Sequence, residues 1–263
     1  MIAKINGINL AYTDEGRGTP VVLLHAFPQN RAMWAQQVDA LSKSYRIIAP
    51  DFRGFGESDA PLWHYTLDQF ADDVNGLLNH LSIRQAMLVG LSMGGYIALG
   101  FYRKYRDRMK GLVLADTRAQ PDTEEGRAGR FAMAQTAYTK GAGAVADIML
   151  PKLLSPIALR TRPDLVQRVR AAIEQTQISG IAGALMAMAE RPDSVPLLAQ
   201  IACPTLVITG ELDGPTPPAD GKLMAGTIPG ARLEIIPQAG HLSNLEQPDA
   251  FNRALLDFLE GIS

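Results

Sequence analysis

The chain has 263 residues, 47% of them hydrophobic, and a net charge of −2. This length allows one large domain with a well-buried core, and the interspersed charges exclude the basic surface that nucleic-acid binding requires. No apolar run is long enough to cross a membrane and the first residues do not open a signal peptide, so we expect a cytoplasmic protein without a membrane partner.

Strand-like and helix-like patterns alternate along most of the chain. Residues 2–15 alternate apolar and polar side chains around Asn6-Gly7, which predicts an antiparallel hairpin at a sheet edge. Further strand-like runs lie at residues 21–24, 45–49, 86–89, 111–115, 205–209 and 232–236. Because continuous apolar strands separated by helices are typical of parallel sheets, we predict an α/β fold whose mostly parallel central sheet carries helices on both faces.

A serine stands where one of these runs changes into a helix-like stretch. The segment is Gly90-Leu91-Ser92-Met93-Gly94, directly after the apolar run 86–89. A sharp strand-to-helix turn forces the serine toward positive φ, and small residues such as Gly90 and Gly94 leave room for the crossing chain. The pattern therefore predicts that Ser92 is a nucleophile at the edge of the sheet.

A serine hydroxyl needs a base within hydrogen-bond reach and a carboxylate that orients this base. His241 follows a strand-like run and precedes a helix-like run, so its loop can reach across the top of the sheet. The chain has four histidines, and His64 and His80 lie in a loop and on an amphipathic stretch that favour solvated or packed roles. We therefore expect His241 to be the base.

The orienting acid is expected at the end of another strand. Asp213 follows the buried-looking run 205–209, and the carboxyl ends of parallel strands carry chemistry in such sheets. Asp116 ends the run 111–115 and is a rival, as is Glu211, while any of these acids can also serve as an ordinary turn residue or helix cap. We predict Asp213 as the acid and leave Asp116 and Glu211 as alternatives.

The chain order Ser92, Asp213, His241 is that of the α/β-hydrolases, and not that of chymotrypsin or subtilisin. Three more segments carry the resemblance: Leu23-Leu24-His25-Ala26-Phe27-Pro28, Asp51-Phe52-Arg53-Gly54-Phe55-Gly56-Glu57-Ser58 and Cys203-Pro204-Thr205-Leu206-Val207. Together they resemble small microbial carboxylesterases, lactonases and perhydrolases of the α/β-hydrolase family, along nearly the whole chain except a variable middle.

The resemblance implies an oxyanion hole made of backbone N–H groups. Met93 supplies the first N–H, directly after the serine, and Phe27 supplies the second from the loop that resembles the family's His-Gly-x-Pro segment. By the same resemblance His25 supports this loop without touching substrate. Ala26 departs from the family's glycine at that position, and alanine tolerates fewer backbone conformations, so we expect a slightly different loop.

Strand and helix stop alternating after Asp116. Residues 117–196 contain Ala-, Met- and Leu-rich helical patterns, including residues 129–139, 143–150, 163–177 and 181–190, separated by glycine and proline. By resemblance this stretch is a helical cap inserted into an α/β-hydrolase core made of residues 1–116 and 197–263, and it would lie over Ser92. Its apolar side chains either pack the cap onto the core or line a substrate pocket, and the sequence leaves both roles open. Examples are Met133, Met149, Leu153, Met186 and Met188.

These features predict a serine hydrolase that cleaves carboxylic esters of small to medium, mostly apolar substrates through an acyl-enzyme intermediate. Enol-lactone hydrolase and perhydrolase chemistry are alternatives, and carbon–carbon bond hydrolysis is a more remote one. A ligand receptor on a hydrolase scaffold is the non-enzymatic alternative. Haloalkane dehalogenases resemble the scaffold, but Ser92 excludes their aspartate nucleophile.

No cofactor or metal is expected. The histidines show no metal-ligand spacing, and the glycines around Ser92 lack a dinucleotide-binding or phosphate-loop signature. The single cysteine, Cys203, precedes a buried strand, which predicts core packing. The expected partner is a small-molecule ester or lactone, and the sequence leaves homo-oligomer formation open.

Overall fold

A computed structural model describes residues 1–62 and 64–262. The strands are β1 (Ile2–Ile5), β2 (Ile8–Glu15), β3 (Pro20–Leu24), β4 (Arg46–Pro50), β5 (Ala86–Leu91), β6 (Met109–Ala115), β7 (Thr205–Gly210) and β8 (Arg232–Ile236). The α-helices are α1 (Ala35–Leu41), α2 (Leu67–His80), α3 (Met93–Tyr105), α4 (Glu124–Leu153), α5 (Pro156–Thr161), α6 (Pro163–Glu174), α7 (Ile178–Ala189), α8 (Val195–Leu198), α9 (Pro218–Thr227), α10 (Ser243–Glu246) and α11 (Pro248–Glu260).

The strands form one sheet in the order β1-β2-β4-β3-β5-β6-β7-β8. The pairs β1/β2 and β2/β4 are antiparallel, and every other neighbouring pair is parallel. Asn6 and Gly7 both have positive φ in the turn between β1 and β2, as a tight hairpin requires. The predicted edge hairpin and the mostly parallel sheet are confirmed.

The central strands explain the continuous apolar runs of the sequence. Strands β5 and β7 are buried at all six of their positions, because side chains on both faces of the sheet are covered. Helices α2 and α3 pack against each other, and α1 packs against α11. The α/β fold with a covered, mostly parallel sheet agrees with the prediction.

Parallel pairing brings five sequence-predicted residues to one edge of the sheet. Phe27 follows β3, Ser92 follows β5, Asp116 follows β6, Asp213 follows β7 and His241 follows β8. Because all five strands run in the same direction, their carboxyl ends and the loops after them share that edge. The fold therefore gathers residues that are up to 214 positions apart.

The segment between β6 and β7 is helical in the described part of the chain, with α4 to α8 in sequence. Helix α4 bends at Gly141, which has φ 82°, and joins two stretches that the sequence predicted as separate helices. The predicted end of the cap, residue 196, falls inside α8. The division into core and cap remains a prediction. Residue 263, the end of the predicted core segment 197–263, lies outside the described residues.

The helical segment contacts three loops of the sheet edge. The contacts are Gln29 Nε2 to the Val169 carbonyl at 3.4 Å, the Leu242 N–H to the Leu153 carbonyl at 3.1 Å, and Gly54 against Gly180. At the last contact a Cβ on Gly180 would lie 1.9 Å from the Gly54 carbonyl oxygen, so the two backbones touch. Leu242 directly follows His241 and Gln29 lies two positions after Phe27, so the helices contact the loops that carry two of the predicted site residues.

The apolar residues singled out in the helical segment are packed to different degrees. Leu153 and Met188 are buried, whereas Met133, Met149 and Met186 are partly buried against the core.

Cys203 is also partly buried and packs against the same core, and burial raises the pKa of its thiol to about 11. Within the described residues, no helix has both the length and the apolar character to cross a membrane.

Candidate active site

Ser92 lies on a strained turn between β5 and α3. Its backbone has φ 55° and ψ −112°, the positive φ that the sequence predicted. A Cβ on Gly90 would lie 2.3 Å from the Gly94 carbonyl oxygen, and a Cβ on Gly94 would lie 2.1 Å from the Leu24 carbonyl oxygen. Both glycines are therefore required by close backbone approach, as predicted.

The turn is held from the neighbouring strand end. Thr117 Oγ1 donates a hydrogen bond of 2.8 Å to the Ser92 carbonyl, and the Ser92 N–H donates one of 2.9 Å to the Ala115 carbonyl. These bonds tie the serine turn to the end of β6. The positive φ of Ser92 is therefore maintained by its surroundings, which is how strained residues persist at functional sites.

The structure brings Ser92, His241 and Asp213 into one hydrogen-bonded chain. The Ser92 Oγ lies 2.8 Å from His241 Nε2, and His241 Nδ1 lies 2.9 Å and 3.0 Å from the two Asp213 oxygens. Ser92 is 9% exposed, His241 4% and Asp213 3%. With its Nδ1–H donated to the carboxylate, the neutral imidazole presents a lone pair on Nε2 to the serine hydroxyl.

Thr216 orients the Asp213 carboxylate. The Thr216 N–H donates to Oδ1 at 2.9 Å, and the Thr216 hydroxyl donates to Oδ2 at 2.6 Å. The same hydroxyl lies 3.3 Å from His241 Nδ1. Sequence reasoning missed this residue, although an aspartate followed three residues later by threonine is a spacing at which a side chain can accept from the backbone.

The carboxylates set the ionisation of the base. Burial lowers the pKa of His241, but the charge and hydrogen bond of Asp213 outweigh burial, and the pKa lies above its ordinary value of 6.5. Asp116 adds to this increase and Arg118 opposes it. A buried imidazole beside a carboxylate can therefore accept a proton, as general-base chemistry requires.

The rival acids have other contacts. Glu211 accepts a hydrogen bond of 2.9 Å from the Gln238 N–H, and Asp116 accepts from the Gly210 N–H at 2.7 Å. His64 pairs with Glu190 at the surface, with 2.9 Å between His64 Nε2 and the Glu190 carboxylate, and His80 packs edge-on against Tyr12. Asp213 is thus the acid that contacts His241.

The two N–H groups expected to form the oxyanion hole belong to buried residues of adjacent strand ends. Met93 is the first residue of α3, where backbone N–H groups have no acceptor within the helix, and Phe27 follows β3. Among the described residues neither N–H has a hydrogen-bond acceptor. Phe27 is 4% exposed, and its ring meets Phe55 edge-on at 6.2 Å. The oxyanion role of these two N–H groups stays a prediction.

His25 links the Phe27 loop to the loop of residues 51–58. Its Nε2 accepts the Phe52 N–H at 3.1 Å, and its Nδ1 lies 2.9 Å from the Ala26 carbonyl. Burial lowers the pKa of His25 to about 4, so the ring is neutral at pH 7, with Nδ1–H as the donor. Ala26 is not among the residues with positive φ, so an alanine fits this loop without strain.

The loop of residues 51–58 is held by its carboxylates. Asp51 accepts hydrogen bonds from the Arg31 N–H at 2.7 Å and the Glu57 N–H at 2.9 Å, and it pairs with the Arg31 guanidinium. Arg53 forms a bidentate ion pair with the buried Asp73 at 2.6 Å and 2.7 Å. These contacts serve the loop and lie apart from the serine chain.

Glu246 connects the histidine loop to the helical segment. Its buried carboxylate accepts the Gly240 N–H at 2.9 Å and the Ser155 N–H at 3.2 Å. Gly240 directly precedes His241, and Ser155 caps α5.

Among the described residues no three His, Cys, Asp or Glu side chains are grouped so that they could hold a metal ion.

Comparison with known proteins places this geometry in a family. A model of the alpha/beta hydrolase fold matches residues 19–248. The chain belongs to the alpha/beta hydrolase fold family. Within the family, this alpha/beta hydrolase is 32% identical to 3-oxoadipate enol-lactonase 2 of Acinetobacter baylyi, over 97% of this chain and 94% of that protein.

Two solved structures share the whole alpha/beta hydrolase architecture with this chain. A thermophilic esterase from Thermogutta terrifontis, solved with malate bound, is 42% identical, with a TM-score of 0.97 over 100% of this chain and 99% of the esterase. The enol-lactonase from Burkholderia xenovorans LB400 is 34% identical, with a TM-score of 0.93 over 99% of this chain and 100% of the lactonase. The resemblance to small microbial esterases and lactonases is confirmed.

Proposed function

We propose that this alpha/beta hydrolase is a serine hydrolase that cleaves carboxylic esters of small to medium, mostly apolar substrates. The observation that carries the proposal is the hydrogen-bonded chain from Ser92 Oγ through His241 to Asp213, at 2.8 Å and 2.9 Å. Distances of this size allow direct proton transfer from the hydroxyl to the imidazole. The esterase from Thermogutta terrifontis supports the substrate class.

In the proposed reaction, Ser92 Oγ bonds to the ester carbonyl carbon as His241 Nε2 takes the hydroxyl proton. The carbonyl oxygen becomes an oxyanion that accepts hydrogen bonds from the Met93 and Phe27 N–H groups, each of which contributes about 3 kcal/mol in comparable sites. The carbon–oxygen bond to the alcohol then breaks, and His241 returns the proton to the departing alcohol.

The second half of the proposed reaction releases the acid. A water molecule gives a proton to His241 and bonds to the acyl carbon, again through an oxyanion. The acyl–oxygen bond to Ser92 breaks, and the proton on His241 returns to the serine. Asp213 keeps its proton-free form throughout and stabilises the imidazolium, with Thr216 holding the carboxylate in place.

We assign residues 117–196 as the cap of this site. Its helices contact the loops that follow β3 and β8, which carry Phe27 and His241, and the loop of residues 51–58. This placement supports a small organic ester or lactone as the partner, since large polymers would meet the helices first. The apolar side chains of the segment favour apolar acyl groups.

Enol-lactone hydrolysis is the second candidate, and a specific observation favours it. The relatives from Acinetobacter baylyi and Burkholderia xenovorans, 32% and 34% identical, are named as enol-lactonases. A lactone is an internal ester, so the same serine chemistry opens it, with the leaving oxygen still joined to the acyl group. The two candidates therefore share the mechanism and differ in substrate.

The test is steady-state hydrolysis of p-nitrophenyl esters of increasing chain length and of an enol-lactone, on one preparation. Ser92→Ala is compared with Ser44→Ala, an exposed serine remote from the site. We expect wild type and Ser44→Ala to turn over and Ser92→Ala to lose activity by several orders of magnitude with unchanged folding. Labelling by a fluorophosphonate, which exchanges fluoride for the serine oxygen, should follow the same pattern.

Each outcome separates the candidates. Preference for esters supports the esterase, and preference for the enol-lactone supports the lactonase. Peroxide in place of water as acyl acceptor tests perhydrolase chemistry. Ser92→Ala with wild-type turnover would refute the nucleophile, and a wild type that neither labels nor turns over would leave the ligand receptor as the better function.

A further inference from the structure

Asp116 is a buried carboxylate that the proposed acyl transfer does not use. None of its surface is exposed, and its backbone has φ 42° in the left-handed region. Aspartate tolerates this region better than most residues but still requires surroundings that hold it there. Strained residues of this kind cluster at functional sites.

The groups that hold Asp116 belong to the loops of the proposed acid and base. Asp116 Oδ1 accepts the Gly210 N–H at 2.7 Å, and Gly210 is the last residue of β7, three positions before Asp213. Asp116 Oδ2 accepts the Ser243 hydroxyl at 2.5 Å and the Ser243 N–H at 3.3 Å, two positions after His241. The Asp116 carboxylate therefore links the loop that carries Asp213 to the loop that carries His241.

The charges around Asp116 are unusual for a residue that only links loops. Asp213 from the loop after β7 and His241 from the loop after β8 are the titratable groups that act on this carboxylate, and Arg118 on its own loop acts on His241. Among the described residues Asp116 forms no ion pair with an arginine or lysine. The negative charge of Asp213 opposes ionisation of Asp116, and the charge of His241 favours it, so the protonation of Asp116 is coupled to the proposed acid and base.

We propose that Asp116 is a positioning residue for the reaction at Ser92: its carboxylate holds the Asp213 and His241 loops together, and its negative charge supports the imidazolium that forms on His241. The inference rests on the proposed serine hydrolase function and concerns the same site. Asp116 does not contact substrate, because Ser243 and Gly210 occupy both of its oxygens.

The ionisation of Asp116 gives this role a pH signature. Burial, followed by the negative charge of Asp213, raises the pKa of Asp116 to about 8. The carboxylate is thus mostly protonated at pH 7 and becomes negative as the pH rises past 8. A negative charge favours the imidazolium of the transition state. We therefore expect kcat/KM of the wild type to rise once at lower pH, as His241 loses its proton, and a second time near pH 8, by about three- to tenfold.

The experiment compares pH profiles of kcat/KM for wild type and Asp116→Asn from pH 5 to 10, with Ser92→Ala as the blank for spontaneous hydrolysis. Asparagine has nearly the same shape but no negative charge, and its amide group faces an N–H donor. We expect Asp116→Asn to lose the rise near pH 8, so that its kcat/KM falls about three- to tenfold below wild type at pH 9 and approaches wild type at pH 6, with KM within about twofold.

A second variant keeps the proposal falsifiable if Asp116→Asn folds poorly. Ser243→Ala removes one hydrogen bond that lowers the pKa of Asp116, so the second rise should move to higher pH. A purely structural link predicts profiles that differ from wild type by one constant factor at every pH, and that result overturns the proposal. A wild type without turnover or labelling overturns the serine hydrolase itself, whereas an active wild type with parallel profiles overturns only the role of Asp116.

Discussion

Replacing Gly94 by alanine tests the serine turn most directly, because its backbone contact is the closest in the site. A Cβ at this position lies 2.1 Å from the Leu24 carbonyl oxygen and 2.7 Å from the Leu24 carbonyl carbon. Real Cβ atoms keep at least 3.0 Å, so the start of α3 must move away from β3 by at least 0.9 Å. No side-chain rotation can relieve the contact, since both atoms are backbone.

The displacement separates the two halves of the proposed catalytic site. Ser92 and Met93 lie on the moving side, whereas Leu24 leads into the loop that carries Phe27. A misplacement of about 1 Å can cost about 100-fold in rate, so we expect kcat/KM of Gly94→Ala to fall by about that factor. Overpacking of the core should also lower the free energy of unfolding by about 1–3 kcal/mol, which shifts Tm by about 5 °C in a protein of this size.

Gly100→Ala is the matched control on the same helix. The nearest atom to its Cβ is Asp68 Oδ1 at 4.0 Å, so the methyl group fits without movement. We expect wild-type kcat/KM within about twofold and a gain of up to about 1 kcal/mol from helix propensity. Kinetics on a p-nitrophenyl ester and thermal unfolding followed by circular dichroism measure both effects. A Gly94→Ala variant with wild-type kcat/KM would refute the close approach as a requirement for catalysis.

Two further predictions concern the base and the loop of residues 51–58. Asp213→Asn should lower kcat by about 10⁴-fold and move the acidic limb of kcat/KM to lower pH, because His241 must be neutral to act and loses the carboxylate that raises its pKa; an unmoved limb would mean that another group titrates. Asp73→Asn leaves the buried Arg53 guanidinium unpaired, so urea denaturation should show about 3 kcal/mol less stability with unchanged kcat, and a drop in kcat would place this pair in the site.

Much of the fold was predictable because its signals are local. The hairpin turn at Asn6-Gly7 and the continuously apolar strands each depend on neighbouring residues. The serine turn was predictable for the same reason, since Gly90 and Gly94 flank Ser92 in the chain. In the folded state both positions lie too close to other backbone atoms to carry a Cβ. Boundaries were less predictable, as α4 shows by joining two predicted helices through the bend at Gly141.

The groups that orient the site were not predictable, because they meet over long distances in the chain. Asp116 and Ser243 are 127 positions apart, and Ser155 and Glu246 are 91 apart. Asp116 could be predicted as a residue at a strand end and a rival acid, but its partners follow from strand order. Only the placement of β6 next to β7 brings the Asp116 carboxylate to the Gly210 N–H.

The sequence by itself determined the fold class and the residue types of the site, because apolar periodicity and a glycine-flanked serine act through near neighbours. Tertiary structure decided which acid contacts His241, which groups Thr216 and Asp116 hydrogen-bond, and which loops the helices of residues 117–196 touch. The physical reason is that hydrogen bonds and charge interactions depend on distances of a few ångströms, and parallel strands create those distances only after the whole sheet has formed.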